Sequence, residues 1–199
     1  LRVVTRCPVW VGRRFALATL LVGSLAALSA QRPAGLVEVQ VLALNDLHGH
    51  LEPPSGSNGR IGNTLAGGIE FVAAHIAALR ATNPNTVVVS AGDNVGATPL
   101  LSGLFHDEPT IEALNAAGLQ VSAVGNHELD EGWWELRRLV TGGCHPIDGC
   151  QDGTPFGGAR FEVLSANITL DPTAVDPGVL AASGWTSAQG TPGTLFPAS

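Results

Sequence analysis

Three short apolar runs in this chain each end in a polar loop that contains glycine, and this arrangement restricts the possible folds more than any other feature. Val37–Leu44 runs into Asn45-Asp46-Leu47-His48-Gly49-His50. Thr86–Ser90 precedes Gly92-Asp93-Asn94, and Val121–Val124 precedes Gly125-Asn126-His127-Glu128-Leu129-Asp130. Apolar, β-branched runs bounded by turn formers read as buried strands, and Phe161–Ser165 offers a fourth. Between the first two runs, Ile69, Val72, Ile76 and Leu79 fall at helical spacing. Between the next two, Pro109 at a first-turn position and Gly118 as a stop bracket a short helix. Glu128 to Val140 reads as a further helix, with acids early and Arg137-Arg138 late, as the helix dipole favours. The alternation predicts an α/β fold with a largely parallel sheet covered by helices. Such a sheet delivers all three loops to one edge, where open α/β folds place their ligands.

Charge narrows the function. All ten basic residues are Arg; Arg2, Arg6, Arg13 and Arg14 precede every one of the 17 acidic residues. Six Arg therefore face 17 acids beyond residue 30, a net charge of −11 that argues against a nucleic-acid binder held by phosphate contacts. Without Lys there is no Walker-type phosphate loop. Patterns for zincins, α/β-hydrolases and dinucleotide-binding folds are also missing.

The four early Arg, the uncharged run Phe15–Ala30 and the small residues Ala27, Ser29 and Ala30 form the pattern of a secretory signal over residues 1–30. The run is short for a membrane span, so no membrane association beyond the export signal is expected. The expected location is exported, periplasmic or extracellular. In that setting Cys144 and Cys150, in Cys144-His-Pro-Ile-Asp-Gly-Cys150, are expected to pair as a disulfide. A zinc site using the intervening His145 and Asp148 is the rival, disfavoured because a short-spaced second ligand pair is missing.

The three loops offer carboxylate, imidazole and amide oxygen, the ligand types of zinc, manganese or iron in hydrolytic sites. Two adjacent ions need a shared anionic ligand, and Asp93 in the central loop is the natural bridge. Asp46 and His48 would then hold one ion and Asn126 the other. Two carboxylates leave two dications under-neutralised, so such a site attracts phosphate and lowers the pKa of water. Asp130 follows His127 by three residues, close enough to meet it at a helix start. A carboxylate behind an imidazole fixes its orientation and favours its protonated form, suiting it to protonate a leaving oxygen.

At these residues the sequence resembles the calcineurin-like metallophosphoesterase superfamily, and within it the exported 5'-nucleotidase branch. The match runs from Asn45 to Asn167. It includes Asn45–Pro53, Ser90-Ala-Gly-Asp93, His106–Asn115, Val124–Gly132 and Ser165-Ala-Asn167. The resemblance implies a sandwich of two mixed sheets between helices and a dinuclear site for two divalent metals, zinc, manganese or similar. It carries metal binding onto Asp46, His48, Asp93 and Asn126, and the catalytic dyad onto His127 and Asp130. The implied reaction is hydrolysis of a nucleotide or other small phosphoester by a metal-activated water. The family's remaining ligands are mostly histidines in later loops, whereas no His follows His145 here. Residues 31–199 are therefore expected to be the N-terminal portion of such a domain, without its nucleoside-gripping domain and with doubtful activity alone. A related exported hydrolase of the same fold (a cyclic phosphodiesterase, a nucleotide-sugar hydrolase or a thiol esterase) and a non-catalytic fragment are the alternatives. His75, His106 and His145 are expected to be ordinary helix or loop residues, and His50 a residue behind the ligand loop.

Overall fold

The computed structural model describes residues 36–165 and 168. The export-signal pattern of residues 1–30, Asn167 and the Gly- and Pro-rich stretch from Asp171 lie outside the described residues. The chain divides into two units, Leu1–Glu38 and Val39–Ser199. In the first, the described Leu36–Glu38 are exposed; the fold below is that of the second.

Its main sheet has four parallel strands: β1 (Gln40–Leu44), β4 (Thr86–Ser90), β5 (Val121–Ala123) and β6 (Glu162–Leu164), in that spatial order. A two-residue hairpin, β2 (Arg60–Ile61) with β3 (Thr64–Leu65), was not expected from sequence. The register sets Leu44 against Ser90 and Ser90 against Ser122, so β1, β4 and β5 end side by side. Parallel strands require crossovers, supplied by α1 (Ile69–Arg80), α2 (Leu100–Gly103), α3 (Glu108–Ala117) and α4 (Trp133–Thr141).

The expected elements form with two adjustments. The first strand begins at Gln40 rather than Val37. The helix expected over Glu128–Val140 is two elements, a 3-10 turn at His127–Leu129 and α4, because Gly132 takes φ +89° and ends the right-handed path between them. Pro109 and Gly118 bracket α3 as expected, with Gly118 left-handed at its end.

The core lies on one face of the sheet, where Val88 meets Ile76, Ile111, Leu114, Leu139 and Phe161. Helix α1 packs on α3 across this core. Beneath α4 the core includes a buried ion cluster. Arg138 Nε and Nη2 donate to the Glu135 carboxylate at 2.9 and 2.6 Å, Nη1 pairs with Glu108, and Nη1 also donates to the Gly143 carbonyl at 3.0 Å. Arg138, expected to serve the helix dipole, is buried together with Glu135. On the opposite face Val41 and Leu164 are exposed. Among the described residues no helix is long and apolar enough to cross a membrane.

Candidate active site

The three motif loops interlock through their backbones at the carboxyl edge of the sheet. Asp46 N–H donates to the Gly92 carbonyl (3.1 Å), His48 N–H to that of Asp93 (3.0 Å) and Gly49 N–H to that of Asn94 (2.9 Å). The third loop closes on the second just as tightly. A Cβ on Gly125 would lie 2.1 Å from Asp93 Oδ1, and one on Gly92 2.5 Å from the Gly125 nitrogen, so only glycine permits this approach.

Glu128, read from sequence as a helix-start acid, is the clamp between these loops. It is buried and accepts the amides of Asp93 (2.9 Å), Asn94 (2.9 Å) and Gly125 (2.8 Å). A buried carboxylate is stable only when fully hydrogen-bonded, and these three donors meet that need. Asn94 extends the network, accepting from Ser90 Oγ at 2.7 Å and donating to Ser122 Oγ at 2.8 Å. The sequence signal for this clamp is the buried strand-end serines and the acid three residues after Gly125, which no spacing rule separates from a helix cap.

Asp46, His48 and Asp93 take φ of +51°, +46° and +52°. This left-handed conformation is uncommon outside glycine and destabilises by roughly 1–3 kcal/mol per residue, a strain that concentrates at functional sites. His48 Nδ1 lies 2.9 Å from the Gly96 carbonyl, which requires a proton on Nδ1 and leaves the Nε2 lone pair available. Nε2 is 4.0 Å from Asp46 Oδ1, and Asn45 Nδ2 donates to the other Asp46 oxygen.

His127 Nδ1 meets Asp130 Oδ2 at 2.7 Å, and the His127 amide donates to Asp93 Oδ1 at 3.0 Å. The hydrogen bond that His127 donates to Asp130 raises the His127 pKa above its ordinary value, with Asp130, Asp93 and Glu128 adding to it by charge against a smaller effect of burial. The His127 ring stands edge-on to His48, centroids 4.8 Å apart. Ligand atoms of His48, Asp93 and His127 lie within 4.8 Å of one another. The set fits a divalent ion: an imidazole with a free lone pair, a half-buried carboxylate and a second imidazole converge from three loops. The geometry thus brings His127 within ligand reach of Asp93. Asp46 and Asn126 stand at the same edge but exposed.

A cleft of about 160 Å³ runs from His127 and Asp130 past Gly96, Thr98 and Asp107 to His106 and Glu131. On its far side His106 and His145, read from sequence as loop residues, stack with ring centroids 3.7 Å apart. Cys144 and Cys150 are joined, Cα atoms 4.6 Å apart. His50 and His75 are exposed.

No model of a known protein family matches the chain. Over 143 residues it is 45% identical to an uncharacterised protein of Acinetobacter calcoaceticus, covering 66% of this chain and 70% of that one. It is 33% identical over 153 residues to a snake venom 5'-nucleotidase of Gloydius brevicauda, covering 75% of this chain. The solved NAD nucleotidase of Haemophilus influenzae superposes with a TM-score of 0.54 at 29% identity over 70% of this chain. The chain belongs to the 5'-nucleotidase family. It is also 35% identical over 145 residues to an endonuclease of Bacillus subtilis, covering 71% of this chain. The chain spans 23% of the venom enzyme, 22% of the solved nucleotidase and 12% of the endonuclease.

Proposed function

We propose that this chain carries the metal-binding and dyad loops of an exported phosphoesterase that hydrolyses nucleotides. The observation that carries the reading is the convergence of His48, Asp93 and His127 at the sheet edge, with Asp130 behind His127. Asp46, His48, Asp93 and Asn126 would hold two divalent ions, with Asp93 shared. Those ions would supply the Lewis acidity that draws a phosphoryl group and lowers the pKa of water.

The chain's own residues then divide the work. Glu128 fixes the Asp93 and Gly125 backbones, so the carboxylate does not swing away as charge develops. Asp130 holds Nδ1 of His127 and favours the charged ring. Nε2, the nitrogen that Asp130 does not engage, carries the proton that passes to the departing alkoxide. The acidic balance beyond residue 30 supports a small phosphoester rather than a polynucleotide, the class suggested by the endonuclease relative. Export rests on the Arg-then-apolar pattern of residues 1–30 and on the Cys144–Cys150 bond.

The test is the purified chain with manganese or zinc and a nucleoside monophosphate. Expected is metal bound at the sheet edge that Asp93→Ala abolishes, with any nucleotide binding or phosphate release depending on that metal. Nucleotide handling that is indifferent to metal and to Asp93→Ala would overturn the proposal.

A further inference from the structure

The motif Cys144-His-Pro-Ile-Asp-Gly-Cys150 has no part in the chemistry above, yet its two polar side chains are held with care. The disulfide and a backbone bridge between His145 and Gly149 close the loop. His145 is buried, and its Nδ1 accepts the Asp148 amide at 3.1 Å. That bond requires an unprotonated Nδ1, whose lone pair also lies 3.4 Å from Asp148 Oδ2. An ion held there would take the Nδ1 lone pair that now accepts the Asp148 amide and the place of the proton between His106 Nε2 and Asp148 Oδ2. His106, in the left-handed conformation at φ +49°, brings Nε2 to 2.8 Å from the same Asp148 oxygen. Its other nitrogen lies 3.2 Å from Glu131 Oε2.

We propose that His106 Nε2, His145 Nδ1 and Asp148 Oδ2 form a second transition-metal site, separate from the sheet-edge loops, with Glu131 orienting His106. Two imidazoles and a carboxylate are a ligand set for zinc or a similar borderline ion. The 3.4 Å between His145 Nδ1 and Asp148 Oδ2 matches the roughly 3.4 Å that bonds of about 2.1 Å impose on neighbouring tetrahedral ligands, and the 2.8 Å from Asp148 to His106 Nε2 must open to it. Glu131 behind the free nitrogen of His106 reproduces the carboxylate–histidine–metal relay that fixes tautomer and ring orientation. The stacked rings must tilt apart for both lone pairs to meet one ion.

Asp107, 8% exposed, lines the same cleft, and among the described residues its Oδ1 has no hydrogen-bond partner. With both thiols engaged in the disulfide, the site is a His₂-carboxylate site and not a thiolate one. An ion there ties the loop at 144–150 to the turn before α3 and places a positive pole on the cleft wall opposite the dyad.

The test uses zinc ions alone and the full chain in its disulfide form, with Asp93→Ala removing the sheet-edge site. Calorimetric titration of Asp93→Ala should find one zinc per chain. Adding His106→Gln or Asp148→Asn should weaken it tenfold or more, as loss of a ligand does. In the unaltered chain, zinc should shift the ring resonances of both His106 and His145. Asp148 is exposed, so Asp148→Asn leaves folding intact and keeps the test decisive if His106→Gln does not fold. Zinc binding in Asp93→Ala that is absent, or indifferent to both variants, would overturn the site. Neither result bears on Asp93-dependent nucleotide handling, so this proposal and the proposed function fail separately.

Discussion

Two walls of side chains, which reach the cleft at His127 and at His106, are built by different means. On one, His48, Asp93 and His127 stand on loops that leave adjacent parallel strands, and backbone hydrogen bonds with the Glu128 clamp hold those loops together. On the other, His106, His145 and Asp148 come from loops with no strand beneath them. They are held by a disulfide and by Arg138, which reaches the Gly143 carbonyl and pairs with Glu108. The first wall inherits its geometry from the fold. The second depends on a few cross-links, and each cross-link can be cut.

Cutting the first wall should have the largest effect. Glu128→Ala strips the acceptor from three backbone amides, which at roughly 1–3 kcal/mol per unsatisfied group destabilises by about 3–9 kcal/mol. Chemical denaturation measures this, and a loss below about 1 kcal/mol would mean the clamp is incidental. Arg138→Ala, aimed at the second wall, leaves Glu135 and Glu108 unpaired and should destabilise by about 3–5 kcal/mol. Arg138→Met should recover part of that loss, because a packed apolar chain tolerates the site better than an unpaired charge. Replacing both Cys144 and Cys150 by Ser should lower stability by about 2 kcal/mol, the chain-entropy value for so short a loop. It should also loosen His145 while leaving the His127 resonances in place. Least disruptive is Asp130→Asn, which removes the bond that raises the His127 pKa; an NMR titration should show that pKa fall toward its ordinary value.

The same contrast explains what the sequence reveals. The first wall is legible because apolar runs announce strands and parallel strands bring their following loops together, so spacing places Asp46, His48, Asp93 and the His127–Asp130 pair at one sheet edge. Glu128 escapes notice because a carboxylate at a helix start has the same local pattern whether it caps a helix or clamps a neighbouring loop. The break at Gly132 hides for a related reason, since the acids before it and the arginines after it fit one continuous helix. The second wall is illegible: His106 and His145 lie far apart in the chain, on segments with no periodicity to align them. Only the folded chain stacks their rings, and only burial shows Arg138 to be a core ion rather than a surface one.

The central claim is that Asp93 holds metal for a phosphoesterase reaction while His127, though within ligand reach of it, works as a proton donor. Metal analysis of Asp93→Ala beside His127→Ala tests this most directly, with phosphate release or nucleotide binding followed in parallel. The account predicts that His127→Ala keeps the sheet-edge ions that Asp93→Ala loses, and that any turnover falls by roughly a hundredfold, as for a lost general acid. If His127→Ala loses metal as completely as Asp93→Ala does, His127 is a ligand and the division of roles is wrong.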